Sequence, residues 1–277
     1  MERKLEAVVC DLDCSLLDSN RQISPRDLDT IQKLKEKGIH FHIISGRPFT
    51  FSRQIAEDTG NDSLVSCCNG ACIYDFAKEK VVFHSDLIDT VDALAIRDYC
   101  KENGISYLLY SLEGVVFDRP DSKRTLYWKK QNDTVFKEGN KIPFIYDSED
   151  FDHSGRHIIK ILIPYVSDEQ IEMIQKRFDK GKYEIVLSER SVLDINAKGV
   201  HKGFAVRKMA EISGFDLQNT LALGDNYNDE LMLEEVGYPV VPENGEEDLK
   251  KKACFITTDN NHDPLTTAVE HLFPEYL

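Results

Sequence analysis

Apolar positions along this chain follow two rhythms: short unbroken runs, and positions spaced three or four apart. Residues 5–10 form a run of the first kind and read as a buried strand. Ser24-Pro25-Arg26-Asp27 then opens a helix, with Ser24 as N-cap, Pro25 at the first position and an acid three residues beyond the cap. Leu28, Ile31 and Leu34 carry its apolar face, and Gly38 stops it. The next run, residues 39–44, ends at Ser45-Gly46-Arg47-Pro48. Strand, helix, strand predicts a right-handed βαβ unit with parallel strands.

The same grammar returns towards the other end. Residues 202–212 read as a helix stopped near Gly214, and 220–223 as a strand halting at Gly224-Asp225. A helix over about 228–236, strands at 238–241 and 254–257, and a helix at 264–273 follow. Between these halves the style changes. Residues 105–118 read as a hairpin around Glu113-Gly114, 157–164 as a strand, 168–178 as a helix and 183–196 as strands again. The pattern predicts an α/β protein with a Rossmann-like parallel-sheet core, formed by residues 1–83 and 190–277, and an inserted α+β domain over 84–189. An open parallel sheet binds ligands at the carboxyl ends of its strands. Here those ends carry Asp11 and Asp13, Ser45 and Gly46, and Gly224 and Asp225.

Composition narrows the classes. The chain has 277 residues, 41% hydrophobic and 30% charged, which suits a globular protein of one large or two ordinary domains. Its longest apolar runs, such as those around Lys160, are too short to span a bilayer. An acid interrupts the first apolar run, which excludes a signal peptide there, so a cytoplasmic address is expected. The net charge of −15 argues against general nucleic-acid binding, and an anionic ligand would need local positive charge or metal. Seven cysteines, an odd number without secretory features, are expected to be reduced thiols. Oligomeric state leaves no readable mark.

The acids point to chemistry. Asp11 and Asp13, two apart, project to one side of an extended segment. Asp225 and Asp229, four apart where a helix begins, can face one point. Four converging carboxylates repel unless a divalent cation sits among them, and all-oxygen donors favour magnesium. Asp18 and Asp27, by contrast, read as ordinary turn and helix-start acids. Magnesium sites serve phosphate, for which Ser45 offers a hydroxyl, Gly46 an amide, and Lys202 a charge at a helix start.

Four segments, Asp11-Leu12-Asp13-Cys14-Ser15, Ser45-Gly46-Arg47, Gly199-Val200-His201-Lys202-Gly203 and Gly224-Asp225-Asn226-Tyr227-Asn228-Asp229, resemble the ordered motifs of the haloacid dehalogenase superfamily, and more narrowly its Cof-type sugar-phosphate phosphatases. Asn69-Gly70-Ala71 and Asn244 followed by residues 253–257 extend the resemblance over both ends of the chain. The resemblance implies a magnesium-dependent phosphatase of small phosphorylated metabolites. Asp11 would be the nucleophile and Asp13 the acid and base. Leu12, Ser45, Gly46, Lys202 and Asn228 would hold the phosphoryl group. Asp11, Asp13 through its carbonyl, Asp225 and Asp229 would bind the metal. It also implies that the insertion is a cap that closes over the site. Arg119, Lys123, Arg124 and Trp128 are candidate readers of the leaving group there, or plain solvated surface. A phosphomutase, or a catalytically silent phosphate-ligand binding protein, are the alternatives. Cys14 stands where the branch carries glycine, and Ser15 and Ser45 stand for threonines.

Other readings of the same residues fare worse. An EF-hand needs glycine at the sixth place and glutamate at the twelfth, but Leu16 and Gln22 stand there. Cys10, Cys14, Cys67, Cys68 and Cys72 lack zinc spacing, and His40 with His42 lacks a third ligand. Asn69-Gly70 serves equally as a hairpin turn or a substrate loop. His201 is open between substrate contact and surface, and Arg47 between phosphate and an acid partner.

Overall fold

The structure is a computed structural model that describes residues 4–148, 151–178, 181–189 and 191–277. Strand β1 (Ala7–Cys10) leads through a long loop into α1 (Pro25–Glu36), β2 (His40–Ile44), α2 (Phe49–Asp58), β3 (Leu64–Cys67), β4 (Cys72–Asp75) and β5 (Lys80–His84). Then come α3 (Thr90–Glu102), β6 (Leu108–Ser111), β7 (Gly114–Phe117), α4 (Lys123–Thr134), β8 (Ile145–Tyr146), β9 (Ile158–Pro164), α5 (Asp168–Phe178), β10 (Tyr183–Glu189) and β11 (Val192–Ala197). The chain returns with α6 (Lys202–Ser213), β12 (Thr220–Leu223), α7 (Glu230–Glu235), β13 (Tyr238–Pro242), α8 (Glu247–Lys250), β14 (Phe255–Thr257) and α9 (Pro264–Leu272).

Two compact units result, one of the chain up to Phe83 with His201–Leu277, the other of His84–Val200. In the first, an eight-stranded sheet runs β14-β13-β12-β1-β2-β3-β4-β5. The pairings from β14 through β3 are parallel, and β4 returns antiparallel on β3. β1 is central because it is apolar and buried at every position, as a strand covered on both faces must be. Ala7, Val9, Ile44, Ala222 and Val241 pack with Val206 and Met209 of α6 in one core. The α1 signals act as read: the Ser24 hydroxyl accepts the Asp27 amide at 3.0 Å, and Gly38 turns the chain away at φ +78°.

In the second unit a six-stranded sheet runs β10-β11-β9-β6-β7-β8, antiparallel except for β7 on β8. Its core joins Leu109, Ile161, Ile163, Leu193 and Ile195 to Ile96 of α3 and Ile174 of α5. β11 lies between β10 and β9 in this sheet. The unit therefore runs to Val200, and the boundary expected after 189 is corrected by the strand's pairing. Among the described residues no helix is long and apolar enough to cross a membrane.

Candidate active site

The loop after β1 folds back on itself at once. The Leu17 amide donates to the Leu12 carbonyl at 2.8 Å, and the Ser15 amide to the same oxygen at 3.3 Å. This tight path requires Cys14 at φ +61°, a left-handed conformation that costs a non-glycine residue about 1 kcal/mol or more. The loop is fastened from the far end of the chain: Asn244 donates to the Cys14 carbonyl at 2.8 Å, and Asn260 to the Leu17 carbonyl at 2.9 Å.

Asp11 extends β1 and stays in the sheet, its amide donating to the Leu223 carbonyl at 2.9 Å. The residue is 5% exposed. Lys202, also buried, donates to Asp11 Oδ1 and to Asp229 Oδ1, both at 2.6 Å. Burial works to lower the Lys202 pKa, but Asp11 and Asp229 outweigh it and hold the ammonium above its usual range. Burial raises the Asp11 carboxyl to about 7, with Lys202 opposing and Asp229 and Asp13 adding to the rise. Asp225 is raised well above the carboxylate range by burial, then by Asp229 and Asp11, although the Ser15 hydroxyl donates to its Oδ1 at 2.8 Å.

Lys202 stands at the start of α6, whose cap is His201: the ring Nδ1 accepts the Phe204 amide at 3.2 Å. The helix end is seated on the turn after β3. There Cys68, Asn69 and Gly70 all take positive φ, and a Cβ on Gly70 would lie 2.9 Å from the His201 carbonyl oxygen. Asn69 also donates its amide to the Ser45 carbonyl at 3.0 Å. One turn thus supports both Ser45 and the lysine helix. Gly224 serves Asp229 in a similar way, since a Cβ there would lie 2.7 Å from Asp229 Cβ. Asp229 Oδ2 accepts the amides of Asp225 and Asn226, each at 3.1 Å, closing the turn from which α7 starts.

Ser45 is buried just past β2, with its hydroxyl accepting the Arg47 amide at 3.2 Å. Gly46 and Asn228 are half-buried, the first beside Ser45 and the second beside Asp229. Leu12 is fully buried, one residue past Asp11. Asp13 turns its side chain elsewhere. Arg47 grips it with Nε to Oδ2 at 2.8 Å and Nη2 to Oδ1 at 2.5 Å, and Arg21 Nη1 also donates to Oδ1. The question left open for Arg47 is answered by an acid partner.

The Asp11, Asp225 and Asp229 carboxylates bring one oxygen each within 4.8 Å of one another. Three buried acids crowd one ammonium, which is why Asp11 and Asp225 resist ionisation without a further cation, and the donors are all oxygen. This set fits a hard divalent cation such as magnesium. The rejected ligand sets stay apart from it. His42 is buried beside His40 and Phe215 with its Nδ1 accepting the Leu64 amide, and no disulfide joins any of the seven cysteines, all of which lie among the described residues. Burial, then Asp225, Asp13 and Asp11, push the Cys14 thiol up to about 11, which favours the protonated thiol over the thiolate.

A strand-end site of this kind on a parallel sheet is shared with known proteins. The family model described as haloacid dehalogenase-like hydrolase matches residues 8–269. The chain therefore belongs to the haloacid dehalogenase-like hydrolases, in the Cof-type branch, and is a hydrolase. It is 31% identical over 265 residues to MG265 of Mycoplasma genitalium, a candidate phosphatase, covering 94% of this chain and 95% of that one. It is 25% identical over 264 residues to the pyridoxal phosphate phosphatase YbhA of Escherichia coli K12, covering 93% and 95%. A solved haloacid dehalogenase-like hydrolase from Bacteroides thetaiotaomicron superposes with a TM-score of 0.82 at 24% identity, covering 98% of this chain and all of that one.

Proposed function

We propose that the chain is a magnesium-dependent phosphatase of small phosphorylated metabolites, acting through an aspartyl-phosphate on Asp11. The observation that carries this reading is the buried Asp11–Lys202–Asp229 bridge beside Asp225 at the ends of β1 and β12. Asp11, Asp225 and Asp229 would hold the cation, joined by the backbone carbonyl of Asp13. When bound it supplies positive charge that offsets the repulsion between a carboxylate and a phosphate ester.

The chain's own groups do the rest. The Asp11 carboxylate attacks phosphorus, the bond from phosphorus to the ester oxygen breaks, and Asp13 gives the departing alkoxide a proton. Asp13 then takes a proton from water, which attacks the aspartyl-phosphate to release phosphate and restore Asp11. Lys202, the Ser45 hydroxyl, the Leu12 and Gly46 amides and Asn228 would hold the phosphoryl oxygens. The relative named as a pyridoxal phosphate phosphatase supports a small phosphate monoester as substrate, and unbridged thiols support a cytoplasmic setting.

Phosphate release is measured from p-nitrophenyl phosphate, glycerol 2-phosphate, glucose 6-phosphate and pyridoxal 5′-phosphate. Wild type turns over with magnesium and stops with EDTA, and Asp11→Asn falls by at least about a thousandfold, the scale of losing a nucleophile. Wild type no faster than Asp11→Asn across several divalent metals would sink the reading.

A further inference from the structure

We propose that Cys67 and Cys72 form an oxidative modification site, a dithiol that closes to a disulfide across the base of the turn between β3 and β4. The two are partners in the antiparallel register, the last pair of a ladder that runs Leu64↔Asp75, Val65↔Tyr74, Ser66↔Ile73, Cys67↔Cys72. Residues directly opposed in such a ladder share a face, with Cβ atoms about 4.5–5.5 Å apart. A disulfide asks for about 3.5–4.5 Å, so a shift of roughly 1 Å joins them. Both residues are fully buried. Burial, then a hydrogen bond to the Cys72 thiol, hold the Cys67 thiol well above its usual range, and Cys67 Sγ donates to the Val65 carbonyl at 3.6 Å. Cys68 is a poorer partner for Cys67, because consecutive Cα atoms lie about 3.8 Å apart, below the usual span of a disulfide.

The turn between the two thiols holds the Ser45 loop. The Ser45 amide donates to the Ser66 carbonyl at 2.9 Å, the Cys68 amide to the Arg47 carbonyl at 2.9 Å, and the Asn69 amide to the Ser45 carbonyl at 3.0 Å. Drawing Cys67 and Cys72 together moves the backbone to which Ser45 is bonded. Turnover then falls, a consequence that rests on the phosphatase reading above. Hydrogen peroxide serves as oxidant. One thiol, as thiolate, attacks a peroxide oxygen, the O–O bond breaks, and a sulfenic acid and water result. The other sulfur attacks the sulfenic sulfur, the S–O bond breaks, and its hydroxyl leaves as water with the second thiol's proton. Two thiols thus lose two electrons and two protons, and one peroxide becomes two waters. The closed hairpin shields both thiols, so reaction proceeds from its opened form and more slowly than at the exposed Cys14 and Cys254. Opening uncovers the two together, which favours the bond within the chain over one between chains.

The test uses the full chain with Cys14→Gly and Cys254→Ser, which remove the two exposed thiols. After peroxide, remaining thiols are blocked in denaturant with iodoacetamide, disulfides are reduced, and the released thiols take N-ethylmaleimide. The segment between Arg53 and Lys78 carries Cys67, Cys68 and Cys72, and mass spectrometry places each label. N-ethylmaleimide on Cys67 and Cys72 together, with iodoacetamide on Cys68, is expected. Turnover of p-nitrophenyl phosphate should fall by on the order of tenfold in the oxidised protein and return with dithiothreitol. Adding Cys72→Ser, or Cys67→Ala where that variant melts early, should abolish the peroxide-dependent loss. N-ethylmaleimide on Cys68, or none in the segment at a dose that oxidises Cys14 and Cys254 of wild type, would overturn the site. The expected labels with unchanged turnover, or an equal loss in Cys72→Ser, would overturn the coupling to Ser45. A reduced protein without turnover fails the phosphatase reading instead, and the labels still decide the pair.

Discussion

Single side chains here are decided by whether burial comes with a partner. Lys202 is buried between two carboxylates and stays charged, whereas His42 is buried against rings and an amide and is held neutral. Burial, then His40 and Lys35, lower the His42 pKa from 6.5 to about 3. The folded state therefore refuses a proton that the unfolded chain accepts below pH 6.5, so stability falls as pH drops through that window. From this residue the loss approaches about 1.4 kcal/mol per pH unit, one proton's worth. Denaturant midpoints of wild type and His42→Asn between pH 7 and 5 check it: the wild-type slope should exceed the variant's, and parallel lines would refute it. Asp225 and Asp229 were legible because their spacing is local, four residues, whereas the two-residue spacing of Asp11 and Asp13 misled, since the Asp13 carboxylate goes to Arg47 and Arg21 and not into the cluster. Arg21 was not legible, because it meets Asp13 only after the turn at Asp18 folds the chain back, and nothing in the spacing announces that return.

The same contrast holds for whole elements. α1 and α6 could be read because each ends at a glycine with positive φ, Gly38 and Gly214, and α1 opens on a serine cap. α2 begins after Pro48 with no side-chain cap, and the buried stripe of α4 is Thr125, Trp128 and Asn132, which carries little apolar rhythm. Asn132 is buried because both ends of its amide bond the Ile142 backbone, at 2.9 Å each, a satisfaction no hydropathy pattern records. Asn69-Gly70 proved to be a turn with a task, seating α6. Gly70→Ala adds a methyl group 2.9 Å from the His201 carbonyl oxygen at φ +107°. It should destabilise the protein by about 2 kcal/mol and lower phosphatase turnover through displaced Lys202, measured by chemical denaturation and kinetics. Unchanged turnover would show that the turn does not place the lysine.

Across the molecule, the two units differ in how the chain makes them. His84–Val200 is one continuous stretch with its own six-stranded sheet and core, while the other unit is assembled from both ends. The continuous unit should therefore fold when expressed alone, since contacts close in sequence cost less loop entropy. A cooperative thermal transition of the 84–200 fragment by circular dichroism is expected, and a featureless melt would contradict it. The inserted α+β character was readable from its hairpins, but its end was not, because β11 looks like any apolar strand until its neighbours are known.

The loop after β1, which carries the proposed nucleophile, is held by Asn244, Asn260 and Asn261, more than two hundred residues downstream. During synthesis on the ribosome Asp11 emerges well before its lysine, its neighbouring acids and the anchors of its loop, all of which follow it in the sequence. A nascent or prematurely terminated chain thus presents a carboxylate without a site.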